Sequence, residues 1–196
     1  MSYLSDLWRR LKTAGIEPGD SDEIKLKKSL LMFAMGLTTA SPVLWLVLYQ
    51  SMGLNIPTSV PVGYQLVSLG TLVIYLVSRN FDWFRVMQLS LYLAFPFVLQ
   101  ATLGDFITAS GFVLWGLLAP VGAILLYNPR ESVVWFAAYI LLIIGAAGYD
   151  FWIFSEGVKP PPVPPKTIVV FFALNFVAIS SIVYLLLRFA AVEREK

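Results

Sequence analysis

Six apolar runs, each close to the length that crosses a lipid bilayer, limit what this chain can fold into more than any other feature. A spanning helix needs roughly 20 apolar residues, because each adds ~1.5 Å against a hydrocarbon core of ~30 Å. The runs cover 30–53, 60–78, 83–103, 110–127, 132–154 and 167–187, the fourth being short and holding Pro120. Of 196 residues, 58% are hydrophobic and 13% charged, which is more apolar surface than one soluble core of this size could bury. The expectation is an all-α polytopic membrane protein with six transmembrane helices.

Orientation follows from lysine and arginine, because basic loops near span ends stay cytoplasmic. With the N-terminus inside, 12 of the 14 basic residues fall on the cytoplasmic side and only Lys159 and Lys166 fall outside. An even number of spans returns the C-terminus to the cytoplasm, so an N-in/C-in protein of the cell's inner (plasma) membrane is expected. Tyr49, Tyr64, Trp83, Tyr127, Tyr149 and Trp152 lie near span ends, where amphipathic rings favour the headgroup zone.

Residues 1–29 form a cytoplasmic arm. Leu4, Leu7, Trp8 and Leu11 make one apolar stripe at helical spacing, with Arg9, Arg10 and Lys12 on the remaining faces. This reads as a short amphipathic helix lying on the inner membrane surface and ending at Gly15; a helix packed on a cytoplasmic domain fits equally. Asp20 followed by Glu23 resembles a capping box that starts the helix leading into the first span. The first apolar run is preceded by about 29 mostly polar residues, so no cleavable signal peptide is read and the first span is expected to be a retained signal anchor.

Residues 30–187 then make the transmembrane domain and 188–196 the start of a cytoplasmic signalling helix. From Lys166 to Lys196 there is neither glycine nor proline, so one continuous helix of about 46 Å is expected, longer than the bilayer core. Its charged end, with Arg188, Glu193 and Arg194, carries no stop signal and is the expected route of signal output into a further cytoplasmic domain.

Chemistry is limited by what is absent. Without cysteine or histidine there are no disulfides, no thiolate or imidazole catalysis, and none of the commonest zinc and haem ligands. No phosphate loop, paired nucleophile and base, or metal spacing is found, so no catalytic residue, cofactor or metal is expected. A net charge of +2, with basic residues confined to membrane edges, gives no support to nucleic-acid binding.

Polar residues within spans are therefore the candidate sites. Asn175, and with less weight Gln88, Gln100 and Gln65, fits an ordinary interhelical hydrogen bond, a contact between protomers, or a ligand-pocket wall. Pro42, Pro96 and Pro120 lie well inside spans and read as kinks that shape the bundle, with a signalling hinge as the sharper alternative. Asp105, Asp150 and Glu156 are the outer-side carboxylates and read as solvated rim charges, or as a cation or ligand site at the bundle mouth. No ionisable residue sits at mid-membrane depth, which argues against a proton relay or ion-coupled transport. The proline-rich run 159–166 reads as a stiff polyproline II spacer.

Three stretches carry a family resemblance: residues 15–28 (GIEPGDSDEIKLKK), residues 114–123 (LWGLLAPVGA), and Leu174-Asn175 with the helix that follows. They resemble the six-helix N-terminal membrane domain of bacterial class III adenylate/guanylate cyclases. The resemblance implies a receptor-like membrane anchor whose sixth helix continues into a cytoplasmic cyclase domain that works as a homodimer. That catalytic domain is absent from these residues, so no catalytic position carries over. A dimer joined through the sixth helix would place Ile179, Ile182 and Leu186 on its seam. Two other readings stand beside it: a stand-alone small transporter or channel, and the sensor domain of a histidine kinase or diguanylate cyclase.

Overall fold

The structure, a computed structural model, describes residues 15–51, 58–157 and 163–194. Its helices are α1 (Asp22–Ser51), α2 (Ser59–Ser78), α3 (Phe81–Leu103), a 3-10 segment (Phe112–Leu117) running into α4 (Leu118–Leu126), α5 (Pro129–Ser155) and α6 (Pro165–Arg194). There is no strand among the described residues. Five helices are long and apolar enough to cross a membrane, and Phe112–Leu126 forms a shorter apolar helix, a set compatible with a membrane protein. The amphipathic stripe of the arm lies outside the described residues, as does the first half of the proline-rich run. The end of that run departs from the expected extended spacer: Pro165 opens α6, a position where a missing N–H costs nothing.

Local chemistry sets the helix ends. Ser21, and not Asp20, caps α1, its hydroxyl accepting from the Ile24 N–H at 3.3 Å. Glu23 pairs forward with Lys27 at 2.6 Å instead of reaching back to a cap, so the expected capping box does not form. Arg79, left-handed at φ 57°, closes α2, and Asn80 at once caps α3 by accepting from the Trp83 N–H at 3.0 Å. So short a connection makes α2 and α3 antiparallel neighbours.

The fourth span is where the structure departs most from the sequence expectation. The helix runs over 112–126, two residues late at its start and one short at its end, and it is not α throughout. Ser110 and Gly111 are both left-handed (φ 54° and 67°), and the chain enters as 3-10 before relaxing to α at Leu118. Pro120 sits in the first turn of α4, just after the 3-10 segment gives way to α. The combined rod is about 25 Å long, from ~2.0 Å per 3-10 residue and ~1.5 Å per α residue.

Neighbours alternate in direction. Near the start of α1, Phe33 stacks on Phe189 of α6 at 4.8 Å; at the other end of α1, Trp45 meets Phe171 near the start of α6 at 5.9 Å. Gly15 and Arg194 therefore lie at the same end of the bundle. The core is built from α1, α3, α4 and α6 around Leu31, Phe84, Leu89, Leu126 and Phe171, each nearly solvent-free. Within α5 only Ser132 and Tyr139 are buried.

Candidate functional site

An apolar pocket opens between α1, α2, α3 and the 3-10 segment, with about 580 Å³ of atom-free space, part of it open to the outside. Both in-helix prolines of the first and third spans line it. Pro42 frees the Thr38 carbonyl from its usual helical partner, and the Ser41 hydroxyl donates to that carbonyl at 2.9 Å. Six aromatic rings line it, those of Trp45, Tyr64, Tyr92, Phe95, Phe112 and Trp115, with leucines among the rest. The Thr38 hydroxyl approaches the Tyr92 hydroxyl at 3.4 Å within the same wall. One polar group there has no partner among the described residues: the indole N–H of Trp45, on a side chain only 7% exposed.

Asn175 does not line this pocket. It lies directly behind it, 1% exposed, and holds the wall in place: its carbonyl oxygen accepts from the Trp115 indole N–H at 3.0 Å, and its amide donates to the Ser110 carbonyl at 3.0 Å. Ser110 and Trp115 bracket the left-handed entry to the fourth span, where a Cβ on Gly111 would meet Phe172 of α6 at 2.9 Å. One side chain of α6 thus clamps both ends of the irregular segment that forms the pocket's inner wall. Of the three readings open from sequence, the geometry shows the interhelical hydrogen bond within one chain. Trp115, the residue that joins Asn175 to the pocket, was not singled out by sequence, because a tryptophan in a span looks like any other apolar wall.

The glutamines take different roles. Gln88 ties α3 to α2, donating to the Thr71 hydroxyl at 2.7 Å and accepting from the Ser68 hydroxyl at 3.4 Å. Gln65 on α2 donates to the Thr39 carbonyl on α1. Gln100 is buried with its carbonyl oxygen unpartnered, beside a groove between α3 and α5.

Two of the three carboxylates expected on the outer side do more than meet solvent. Asp105 is 8% exposed and accepts from the Ile107 and Thr108 N–H groups at 2.7 Å each, capping the loop that leads to the fourth span. Asp150 on α5 accepts from the Phe106 N–H in that loop at 3.0 Å, while Glu156 is exposed.

At the opposite end, the segment before α1 folds back on the bundle. The Lys28 ammonium bridges the Asp20 carboxylate at 2.7 Å and donates to the Gly15 carbonyl at 2.9 Å, which also accepts from the Tyr75 hydroxyl at 3.2 Å. Gly15 is left-handed at φ 80°, and a Cβ there would overlap the Tyr75 hydroxyl, so this close approach requires glycine. Asp20 accepts from the Glu17 N–H and from Lys28, which together hold its carboxyl below the usual value. Arg85 fixes the same end from α3, donating to the Leu126 carbonyl at 3.0 Å and lying over the Tyr127 ring at 3.9 Å.

The sixth helix presents one buried stripe along its length: Phe171, Asn175, Ile179, Ile182, Leu186 and Ala190. A dimer seam through Ile179, Ile182 and Leu186 is thereby corrected, since those side chains face the chain's own bundle and are 5%, 7% and 3% exposed. The spacing of three and four marks a packed stripe but not whose surface it packs against. Arg188 and Arg194 are exposed and Glu193 is half-buried. No family model, curated protein or solved structure matches this chain.

Proposed function

We propose that this chain is the membrane anchor and receptor-like sensor module of a membrane-bound class III nucleotidyl cyclase. It spans the plasma membrane six times with both termini cytoplasmic and passes a signal through α6 to a dimeric catalytic region. The support is physical as well as by resemblance. Asn175 joins the pocket wall to a helix that continues unbroken for 19 further residues to Arg194, as far as the structure describes it. A change in what fills the pocket moves Trp115, and Trp115 cannot move without straining its bond to Asn175. A class III active site forms between two catalytic domains, so a small displacement of paired α6 helices is enough to alter it. The exposed faces of α5 and α6, with Phe151 and Phe176 among their apolar residues, remain for lipid and for a second protomer.

The absence of any charged side chain in the pocket lining is a poor fit to ion transport. The test is cyclic-nucleotide synthesis by membranes expressing the complete coding sequence, with cysteine labelling of Arg194→Cys in intact cells to place the C-terminal end. Synthesis of cyclic AMP, with a label protected until the membrane is opened, is expected. A continuation encoding a histidine kinase or diguanylate cyclase would retain the sensor and replace the output. Labelling from outside the cell would overturn the topology and the function together.

A further inference from the structure

We propose that the pocket between α1, α2, α3 and the 3-10 segment binds the head ring of a neutral quinone taken from the bilayer. This deepens the receptor reading, which it needs for its consequence but not for the binding itself.

Three features of the pocket select the ligand. Its lining holds no charged side chain, so an ionised head, whether carboxylate, phosphate or ammonium, would lose its hydration without gaining a counter-ion. Its walls are flat: Tyr64 and Phe95 lie 4.4 Å apart between ring centroids, and Phe112 stacks on Trp115 at 5.9 Å with 20° between planes. These rings pack on one another, and a planar π system stacks on an aromatic wall of this kind better than a branched aliphatic body does. The third feature concerns hydrogen bonding. The Trp45 indole N–H is a donor only, is buried on the pocket wall and has no partner among the described residues, and such a group costs stability until an acceptor arrives. The Tyr64 and Tyr92 hydroxyls add further donor capacity to the same lining.

A quinone matches this pattern. Its ring is planar and uncharged, and it carries two carbonyl acceptors and no donor. Its hydrocarbon tail can leave through the open side of the pocket into lipid. An acyl chain alone would fill the volume and leave the Trp45 N–H orphaned. The Thr38, Ser41, Tyr64 and Tyr92 hydroxyls of the lining accept as well as donate, so what the site selects is a planar uncharged ring with an acceptor for Trp45, held without electron transfer.

The test uses the chain in phosphatidylcholine nanodiscs free of endogenous quinone, labelled with a photoreactive azidoquinone. Labelling should map to peptides containing Trp45 or Phe112 and be competed by decylubiquinone at least tenfold better than by oleate. Trp45→Phe, which keeps the ring and removes the donor, should weaken competition about tenfold while leaving the circular dichroism spectrum and thermal midpoint near wild type. The proposal is overturned by labelling elsewhere, by competition from oleate in place of quinone, or by an unchanged Trp45→Phe variant. Correct binding with no effect of quinone on cyclic-nucleotide synthesis by the complete protein would leave the site standing and sink the receptor reading instead.

Discussion

α5 and α6 are close in length, at 27 and 30 residues, and both are strongly apolar, yet the fold uses them in opposite ways. α6 buries a side chain every third or fourth residue along its whole length and sends Asn175 into the centre of the bundle. α5 buries only Ser132 and Tyr139, exposes large residues such as Leu141 and Phe151, and carries Gly145 and Gly148 where an added Cβ would meet nothing. Hydropathy assigns both helices to lipid because it averages over the helix surface. It does not distinguish a helix that lipid surrounds from one that a bundle grips on one face. The gripped helix can transmit a displacement, and the surrounded one mainly completes the wall.

The strongest way to break this contrast is Asn175→Leu. It orphans the Trp115 N–H and the Ser110 carbonyl at once, and a loss of about 1–3 kcal/mol is expected from the cost of buried unpaired groups and the strength of interhelical hydrogen bonds. The thermal midpoint in nanodiscs reports it. Combining Asn175→Leu with Trp115→Phe sharpens the assignment, because two mutations that remove one shared bond should cost less together than their sum. Gly111→Ala comes next, at about 1–2 kcal/mol for a left-handed alanine, with the Phe172 contact in addition. Gly148→Ala on α5 should stay within about 0.5 kcal/mol. If it costs as much as Asn175→Leu, the two helices are packed alike and the contrast is lost.

A smaller effect concerns the fold-back before α1. The carboxyl of Asp20 sits below its ordinary value of 3.8, so its contribution is present above that value and is lost as pH falls through the lower folded value. Hydrogen exchange of residues 15–20 should be unchanged from pH 8 to pH 5 after correction for intrinsic rates, and should accelerate only below about 3.8. Release at pH 6 would show that Asp20 does not hold this segment.

Much of the architecture was legible in the sequence. The runs at 60–78, 83–103 and 132–154 lie within two or three residues of α2, α3 and α5, because twenty uninterrupted apolar residues leave few alternatives to a long helix. The fourth span was not legible in detail. Its left-handed entry depends on Asn175 holding the Ser110 carbonyl, and a contact between residues so distant in sequence leaves no periodic trace. Asn175 stood out because an amide in a span needs a partner, but the sequence could not name Trp115 and Ser110 as those partners. The prolines were visible as breaks in helical bonding; that Pro42 and Pro96 meet at one pocket depends on how α1 packs against α3. The stripe of Ile179, Ile182 and Leu186 was also visible, and its assignment to a dimer failed because spacing records a buried face without recording what buries it.

The central claim is that the pocket wall and the C-terminal end of α6 move as one unit through Asn175. It is tested most directly by electron–electron distance measurement between spin labels on two exposed positions, Arg130 at the start of α5 and Arg188 on α6, in nanodiscs. Trp115→Phe removes the wall's hydrogen bond and should shift the Arg130–Arg188 distance distribution in the same direction as Asn175→Leu does. Distributions identical to wild type in both variants, with the proteins still folded, would contradict the account.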